Sequence, residues 1–199
     1  MNIVFDLGGV IFTWSGEKLI QEFSQSEEIR NLIRTELLDH PDWDDLDRGI
    51  LAYSEIIKRA SERTNLTVTA LTDFMNRVPK FLTPIPEMQS LLSRLKQKGH
   101  RLFCLSNMHE EVIQYLDKAY DFWPVFEGRV ISCYINMIKP EPAIYQYLLN
   151  KFNLNPEETI FTDDMPPNLN PASELGIHTI LFQDPAQYQS ELNKILPNL

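Results

Sequence analysis

Six polar residues near the ends of apolar runs are the part of this sequence best suited to chemistry. They are Asp6, Ser106, Asn107, Lys139, Asp163 and Asp164. Adjacent acids after an apolar run repel one another, which raises a carboxyl pKa unless a cation lies between them. Hard carboxylate oxygens in small number suit Mg²⁺, which keeps waters and accepts a substrate phosphate. A carboxylate nucleophile, a lysine and hydroxyl or backbone N–H donors would complete a phosphoryl-transfer site.

Each residue also has a purely structural interpretation. Ser106 can cap the N-terminus of a helix, and Asp6 can hold a turn through its backbone. Lys139 is harder to explain in that way, because a cation at the start of a helix opposes the helix dipole. An anion shared by the lysine and the helix end would remove the conflict. Each residue alone is weak evidence, and the interpretation as a site depends on their coming together.

Short apolar runs alternate with helical patterns along most of the chain. We predict strands over residues 2–5, 101–105, 130–134, 159–162 and 177–182. Such alternation is typical of an α/β protein with a Rossmann-like, doubly wound parallel sheet, in which sites form at the carboxyl ends of the strands. Residues 15–79 show helical spacing and no strand pattern, which predicts a helical cap inserted after the first strand. An acidic, solvated turn near residues 39–47 is expected to interrupt those helices.

The composition narrows the range of partners. The 199-residue chain has a formal net charge of −10, which disfavours nucleic acid and anionic membranes because both attract basic surfaces. No apolar run approaches the ~18–20 residues needed to span a bilayer. The first residues have no basic start, and Asp6 interrupts their apolar stretch, so they make a poor signal peptide. We expect a cytoplasmic protein that acts on a small molecule as a monomer or small homo-oligomer.

The polar residues lie in four segments that resemble a known set of motifs. FDLGGV, LSN, IKPEPAIY, and FTDDMPPNL with ELGI resemble, in order, the motifs of the haloacid dehalogenase superfamily. They are similar above all to its small phosphatases with a helical cap, which include sugar-phosphate phosphatases and the phosphatase domain of soluble epoxide hydrolases. WDDLDRGILAYSE resembles the cap of that subgroup. The resemblance implies a Rossmann-like hydrolase core at residues 1–14 and 84–199, with a helical cap at 15–83.

The resemblance also implies an activity and roles for the residues that perform it. Asp6 would be the nucleophile that forms an aspartyl-phosphate. Ser106 and Asn107 would bind the phosphate, and Lys139 would hold the charges of the nucleophile and the phosphate together. The implied activity is Mg²⁺-dependent hydrolysis of a small phosphorylated metabolite, with a sugar phosphate as the expected substrate.

A magnesium site and one departure from the family pattern follow from the same resemblance. Asp6 and Asp164 would ligate Mg²⁺, Asp163 would support or replace Asp164, and the backbone carbonyl of Gly8 can also be a ligand.

Most phosphatases of this superfamily carry a second aspartate where this chain has Gly8. That acid protonates the leaving group and then activates the attacking water. The loss of such general acid–base help is worth roughly 10²–10⁴ in rate.

Three functions remain open because of this glycine. The first is a phosphatase that tolerates it, with another group in place of the missing acid. The candidates for that group are His109, Glu110, Asp45 and Asp47. The second is a carbon–halogen hydrolase, which needs neither the second acid nor a metal, but the adjacent aspartates argue against it. The third is a catalytically weak or inactive binder of a phosphorylated ligand or a protein partner.

Overall fold

A sheet of five parallel strands lies at the centre of the protein, in this computed structural model that describes residues 1–196. The strands are Asn2–Phe5 (β1), Arg101–Ser106 (β2), Gly128–Ile131 (β3), Thr159–Asp163 (β4) and His178–Leu181 (β5). They lie in the order β3-β2-β1-β4-β5, and every neighbouring pair is parallel. The predicted Rossmann-like α/β fold is therefore confirmed.

The central strand β1 is buried on both faces. Ile3 and Phe5 belong to one apolar cluster of the core, whereas Val4 belongs to a second cluster. Because successive side chains of a strand point to opposite faces, the two clusters mark the layers on either side of the sheet. A strand covered on both faces reads as a continuous apolar run, which is the pattern that made β1 recognisable.

The first five α-helices after β1 form the predicted helical cap. They are Gly16–Phe23 (α1), Glu27–Ile33 (α2), Pro41–Arg48 (α3), Tyr53–Thr64 (α4) and Val68–Phe81 (α5). A short π-helical segment, Arg34–Leu38, directly follows α2. The segments that enter and leave the cap run side by side, since the Thr13 N–H donates to the Thr83 carbonyl at 2.8 Å. The insertion of the cap after the first strand is confirmed.

The remaining helices connect the strands or follow the last of them. They are Pro86–Gln97 (α6), Glu110–Ala119 (α7), Pro142–Phe152 (α8), Pro166–Glu174 (α9) and Pro185–Ile195 (α10). Since parallel strands all run in one direction, the carboxyl ends of β1, β2 and β4 meet at one edge of the sheet. We call it the carboxyl edge. None of the helices in residues 1–196 is long and apolar enough to cross a membrane.

Two local predictions are wrong. The strand predicted over 130–134 ends at Ile131, and Ser132–Tyr134 forms a 3₁₀ turn. The acidic stretch 39–47 is not a turn, because most of it lies in α3. Pro41 in the first turn and Gly49 with a φ of 81° after the last helical residue are ordinary signals of a helix start and stop. The high density of acids in this stretch obscured those signals.

The cap contains a cluster of charges around Asp42, which is 7% exposed. Arg59 Nη1 lies 3.2 Å from one oxygen of this carboxylate, and Arg63 Nη1 lies 2.8 Å from the other. Burial alone would raise the pKa of Asp42, but Arg63 and Arg59 together lower it. The prediction of a solvated acid is therefore wrong at this residue, whose basic partners come from α4.

Candidate active site

The carboxyl edge brings the predicted polar residues together. Phe5 of β1 is in register with Thr162 of β4, so Asp6 and Asp163 follow at the same level of the sheet. The Asp6 N–H donates to the Thr162 carbonyl at 2.9 Å. Ser106 ends β2, the strand on the other side of β1. Asp6, Ser106 and Asp163 are all buried, so this edge is a site of low solvent access.

Lys139 neutralises two of these carboxylates. Its Nζ lies 3.0 Å from Asp6 Oδ1 and 2.6 Å from Asp163 Oδ2, and the residue is buried. Burial alone would lower the pKa of Lys139, but the charges of Asp6 and Asp163 raise it. The lysine does not open the next helix, since Glu141 is the N-cap and α8 begins at Pro142. The expected conflict with the helix dipole is thus absent, and the two carboxylates account for the cation.

Asn107 fixes the backbone beside this lysine. Its Nδ2 donates to the Lys139 carbonyl at 2.8 Å, and its Oδ1 accepts from the Lys139 N–H at 2.8 Å. The side chain of Ser106 lies close enough to Asp6 to lower the pKa of that carboxyl. Neither Ser106 nor Asn107 caps a helix, because the N-cap of α7 is His109. The structural interpretation of Ser106 as a cap is therefore wrong.

Asp163 uses both of its oxygens to organise the site. Oδ1 accepts from the Met165 N–H at 2.8 Å and from Asn168 Nδ2 at 3.0 Å, while Oδ2 accepts from Lys139 Nζ at 2.6 Å. The sequence pattern alone does not mark Asn168 as part of the site. An amide in the first turn of the helix that follows paired aspartates is a usable signal for such a residue.

Asp164 completes a group of three carboxylates that can hold a metal ion. One oxygen each from Asp6, Asp163 and Asp164 lies within 4.8 Å of the others. Burial, and then the charge of Asp163, raises the pKa of Asp164. Burial also raises the pKa of Asp6 to about 7, although Lys139 lowers it and Asp163 adds to the rise. One lysine does not neutralise three carboxylates, so the group favours a further cation, and its hard oxygen donors fit Mg²⁺.

The two glycines after Asp6 differ in how closely their surroundings approach. At Gly9, which has a φ of 77°, a Cβ atom would lie 2.2 Å from Asp164 Oδ2, so any side chain would displace that carboxylate. At Gly8 the nearest atom a Cβ would meet is Trp14 Cβ, at an ordinary contact distance of 3.8 Å. The backbone therefore needs a glycine at position 9, whereas position 8 has room for a Cβ atom.

The fold and the site together define a class of protein. A parallel sheet with aspartates and a lysine at its carboxyl edge, under an inserted helical cap, is the arrangement that the four sequence segments resemble. Residues 1–176 match the model of a hydrolase family described as haloacid dehalogenase-like hydrolase. The chain belongs to this haloacid dehalogenase-like hydrolase family.

Two relatives match this chain over nearly its whole length. The sesquiterpene phosphatase astK of Aspergillus oryzae is 24% identical over 193 residues, which cover 97% of this chain and 95% of the relative. The D-ribitol-5-phosphate phosphatase of Bacteroides thetaiotaomicron is 25% identical over 213 residues, which cover 98% of each. Both relatives are named as phosphatases, but one name specifies a sesquiterpene and the other specifies D-ribitol 5-phosphate.

A solved structure agrees with the fold described above. The HAD family enzyme bt-2542 from Bacteroides thetaiotaomicron superposes with a TM-score of 0.76 at 25% identity, covering 92% of this chain and 93% of that chain. A mutant of the same enzyme in complex with magnesium and inorganic phosphate superposes with a TM-score of 0.74 at 22% identity. Those ligands belong to the neighbour, and for this chain the second likeness establishes the fold.

Proposed function

We propose that the protein is a Mg²⁺-dependent phosphatase that hydrolyses a small phosphorylated metabolite through an aspartyl-phosphate formed on Asp6. The observation that carries this proposal is the position of Asp6, which lies 3.0 Å from the buried Lys139 and belongs to a carboxylate group able to hold one metal ion. Membership of the hydrolase family and the phosphatases among the relatives support it.

The metal would be held by Asp6, Asp164 and the backbone carbonyl of Gly8, with Asp163 in support. Asp164 is the better ligand of the adjacent pair, because both oxygens of Asp163 already accept hydrogen bonds. When bound, Mg²⁺ would supply positive charge beside the phosphate and favour the ionised form of Asp6.

The residues at the carboxyl edge would divide the reaction between them. An oxygen of Asp6 attacks the phosphorus as the bond to the leaving oxygen breaks; water then attacks the phosphorus as the bond to Asp6 breaks. Lys139 would keep Asp6 ionised and meet the charge of the phosphate. The Ser106 hydroxyl and the Asn107 backbone N–H would hold phosphate oxygens, since the Asn107 side chain is engaged by the backbone of Lys139.

The substrate would be a small phosphate ester, and a sugar phosphate is our first proposal. A cavity of about 100 Å³ lies beside Gly8, between residues of the cap and residues of the carboxyl edge. Its apolar lining residues are Trp14, Trp43, Val78, Leu82, Met108 and Val112. Such a wall can stack on the face of a sugar or pack against a hydrocarbon chain. Terpenyl phosphates therefore belong in the same substrate panel, as the name of the sesquiterpene phosphatase relative also suggests.

We further propose that residues 1–14 and 84–199 form the hydrolase core and that residues 15–83 form a cap that closes over the site. Closure would exclude water and strengthen the charge interactions within. The net charge of −10 supports a small-molecule substrate rather than nucleic acid or an anionic membrane. A cytoplasmic monomer or small homo-oligomer is part of the same proposal.

The test is a release assay on the purified protein with Mg²⁺ and with EDTA. The panel contains p-nitrophenyl phosphate, sugar phosphates, ribitol 5-phosphate and a terpenyl phosphate. We expect phosphate release that requires Mg²⁺ and stops with EDTA. Metal-independent release of halide from a 2-haloacid would instead establish a carbon–halogen hydrolase. Phosphate binding without turnover of any substrate would establish the inactive binder.

A further inference from the structure

The cavity beside Gly8 contains one carboxylate that the proposed chemistry does not yet use. Asp47 lines the cavity from α3 of the cap, while Gly8 and Asn107 line it from the carboxyl edge. Of the lining residues, Asp47 is the one acid. It therefore shares a space of about 100 Å³ with the position at which the usual second aspartate is missing.

Contacts with the core hold Asp47 in this place. Ser132 Oγ donates to the Asp47 carbonyl at 2.5 Å, and Asn136 Nδ2 donates to the Arg48 carbonyl at 3.0 Å. Arg48 also forms a two-bond ion pair with Glu141, at 2.8 and 2.7 Å. The end of α3 is thereby fastened to the loop before α8. The position of Asp47 is set by the core as well as by the cap.

The surroundings of Asp47 suit a group that gains and loses a proton. Burial raises its pKa to about 6, with His109 lowering it and Asp44 raising it. The His109 backbone and the Trp43 side chain lie close enough to the carboxylate to lower its pKa as well. Its pKa therefore stays near the range in which proton transfer is efficient.

His109 packs against the aromatic wall of the same cavity, with its ring centroid 5.8 Å from that of Trp43. The residue lines the cavity and is 2% exposed. Its Nδ1 lies 3.1 Å from Glu111, but its buried Nε2 has no hydrogen-bond partner within residues 1–196. Nε2 is closed off from solvent, so the ring forms part of the wall beside Asp47.

We infer that Asp47 takes the part of the aspartate missing from position 8 and is the general acid–base of the reaction. This inference rests on the proposed phosphatase function. In the first step the Asp47 carboxyl gives its proton to the leaving oxygen, as the bond from that oxygen to phosphorus breaks and Asp6 bonds to phosphorus. In the second step the Asp47 carboxylate takes a proton from the attacking water, as the bond from phosphorus to Asp6 breaks. Inorganic phosphate leaves, and Asp47 is again protonated.

The other groups that the sequence suggested for this role are placed less well. Asp45 is on the same helix and Glu110 begins α7, but neither lines the cavity. His109 lines it, but its ring packs against Trp43 and its buried Nε2 is closed off from solvent. Asp45→Asn is therefore a matched control for Asp47→Asn, because it removes one charge from the same helix outside the cavity.

The test compares two leaving groups in these variants. p-Nitrophenolate departs without a proton, whereas the alcohol of the best alkyl phosphate of the wild type needs one. In single turnover, we expect Asp47→Asn to slow alcohol release by roughly 10²–10⁴ and p-nitrophenolate release by less than about tenfold. In steady state the variant should give a burst of p-nitrophenolate, because hydrolysis of the aspartyl-phosphate lacks its base. Asp45→Asn should match the wild type.

A second variant separates a catalytic role from a structural one. Gly8→Asp in the Asp47→Asn background should recover at least about tenfold of the lost alkyl phosphate turnover, because position 8 has room for a Cβ. No recovery in a folded double variant would overturn the equivalence of the two positions. Equal slowing of both leaving groups, or identical behaviour of Asp47→Asn and Asp45→Asn, would overturn the role of Asp47 and leave the phosphatase function intact. A wild type without turnover would overturn that function itself.

Discussion

Two buried aspartates of this protein have opposite electrostatic surroundings. Asp42 in the cap and Asp6 at the carboxyl edge are each 7% exposed. Asp42 faces Arg59 and Arg63, which lower its pKa although burial opposes the change. Asp6 faces one lysine that it shares with a second carboxylate, and burial raises the pKa of Asp6 to about 7. At equal solvent exposure, Asp42 thus has two cations beside it, which also pair with Glu55 and Glu36, whereas Asp6 has one cation that it shares with Asp163.

The difference separates a structural cluster from a binding site. Two arginines already satisfy Asp42, and the ion pairs tie α3 to α4. The group at the carboxyl edge keeps an excess of carboxylates, whose mutual repulsion a bound cation would relieve. The balance of charges therefore distinguishes the candidate site from the structural cluster, whereas the degree of burial is the same in both. Four experiments can break or sharpen this contrast.

The largest expected effect comes from removing the proposed nucleophile, Asp6. Asp6→Asn should abolish turnover of every phosphate ester, because the amide keeps the shape of the side chain and cannot attack phosphorus. Asp42→Asn is the matched change in the cap, and we expect it to keep kcat within about threefold because it lies outside the reaction. Steady-state kinetics on both variants measure this. Normal turnover by Asp6→Asn would end the proposed mechanism.

The second comparison removes one cation from each charge cluster, Lys139 at the carboxyl edge and Arg63 in the cap. Lys139→Ala leaves two carboxylates buried without their partner, so we expect a loss of about 3–5 kcal/mol in the free energy of unfolding together with lost phosphate affinity. Arg63→Ala should cost about 1–3 kcal/mol, since Arg59 remains beside Asp42, and should leave kcat unchanged. Urea unfolding and phosphate titration of both variants give the comparison. A Lys139→Ala protein with wild-type phosphate affinity would contradict the role of the lysine.

The neighbouring glycines provide a smaller and more local contrast. Gly9→Ala places a Cβ against the Asp164 carboxylate, and we expect the displaced ligand to cost about 10²-fold in Mg²⁺-dependent turnover. Gly8→Ala should change turnover by no more than about threefold, because its Cβ meets ordinary contact distances. Mg²⁺ titrations of activity measure both. Equal losses of turnover in the two variants would mean that the close contact between Gly9 and Asp164 has no special effect on Mg²⁺-dependent activity.

The smallest effect is a pH dependence of stability that belongs to the cap. The pKa of Asp42 is lowered in the folded protein, so the unfolded chain binds more protons at acidic pH. The stabilisation that ionised Asp42 contributes is complete above the ordinary aspartate pKa of about 3.9. It is lost as the pH falls through the lower pKa of Asp42 in the folded protein. The difference in the free energy of unfolding between the wild type and Asp42→Asn should shrink below about pH 4. A difference that stays constant from neutral to acid pH would contradict this assignment.

The sheet and its polar edge were predictable because they depend on short-range patterns. The central strand β1 is a continuous apolar run that Asp6 directly follows, and β4 is a mainly apolar run that ends in Asp163. The end of β3 was not predictable, since the apolar run continues through the 3₁₀ turn Ser132–Tyr134. The partners of Asp42 were not predictable either, because Arg63 lies 21 residues away and nothing local marks the pair. Distances between charges are set by packing, and the sequence pattern does not contain them.

The ion pair between Arg48 and Glu141 has a consequence for the timing of turnover. Glu141 is the N-cap of α8 and lies on the loop that carries Lys139, so outward movement of α3 must pull on that loop. The pair is partly exposed to solvent, and dissolved ions weaken it, whereas they reach the buried lysine much less. Product release that requires this movement of α3 would therefore become faster as salt is added, whereas cleavage of the phosphate ester would not. The dependence of turnover on ionic strength would then show whether product release or bond cleavage limits the rate.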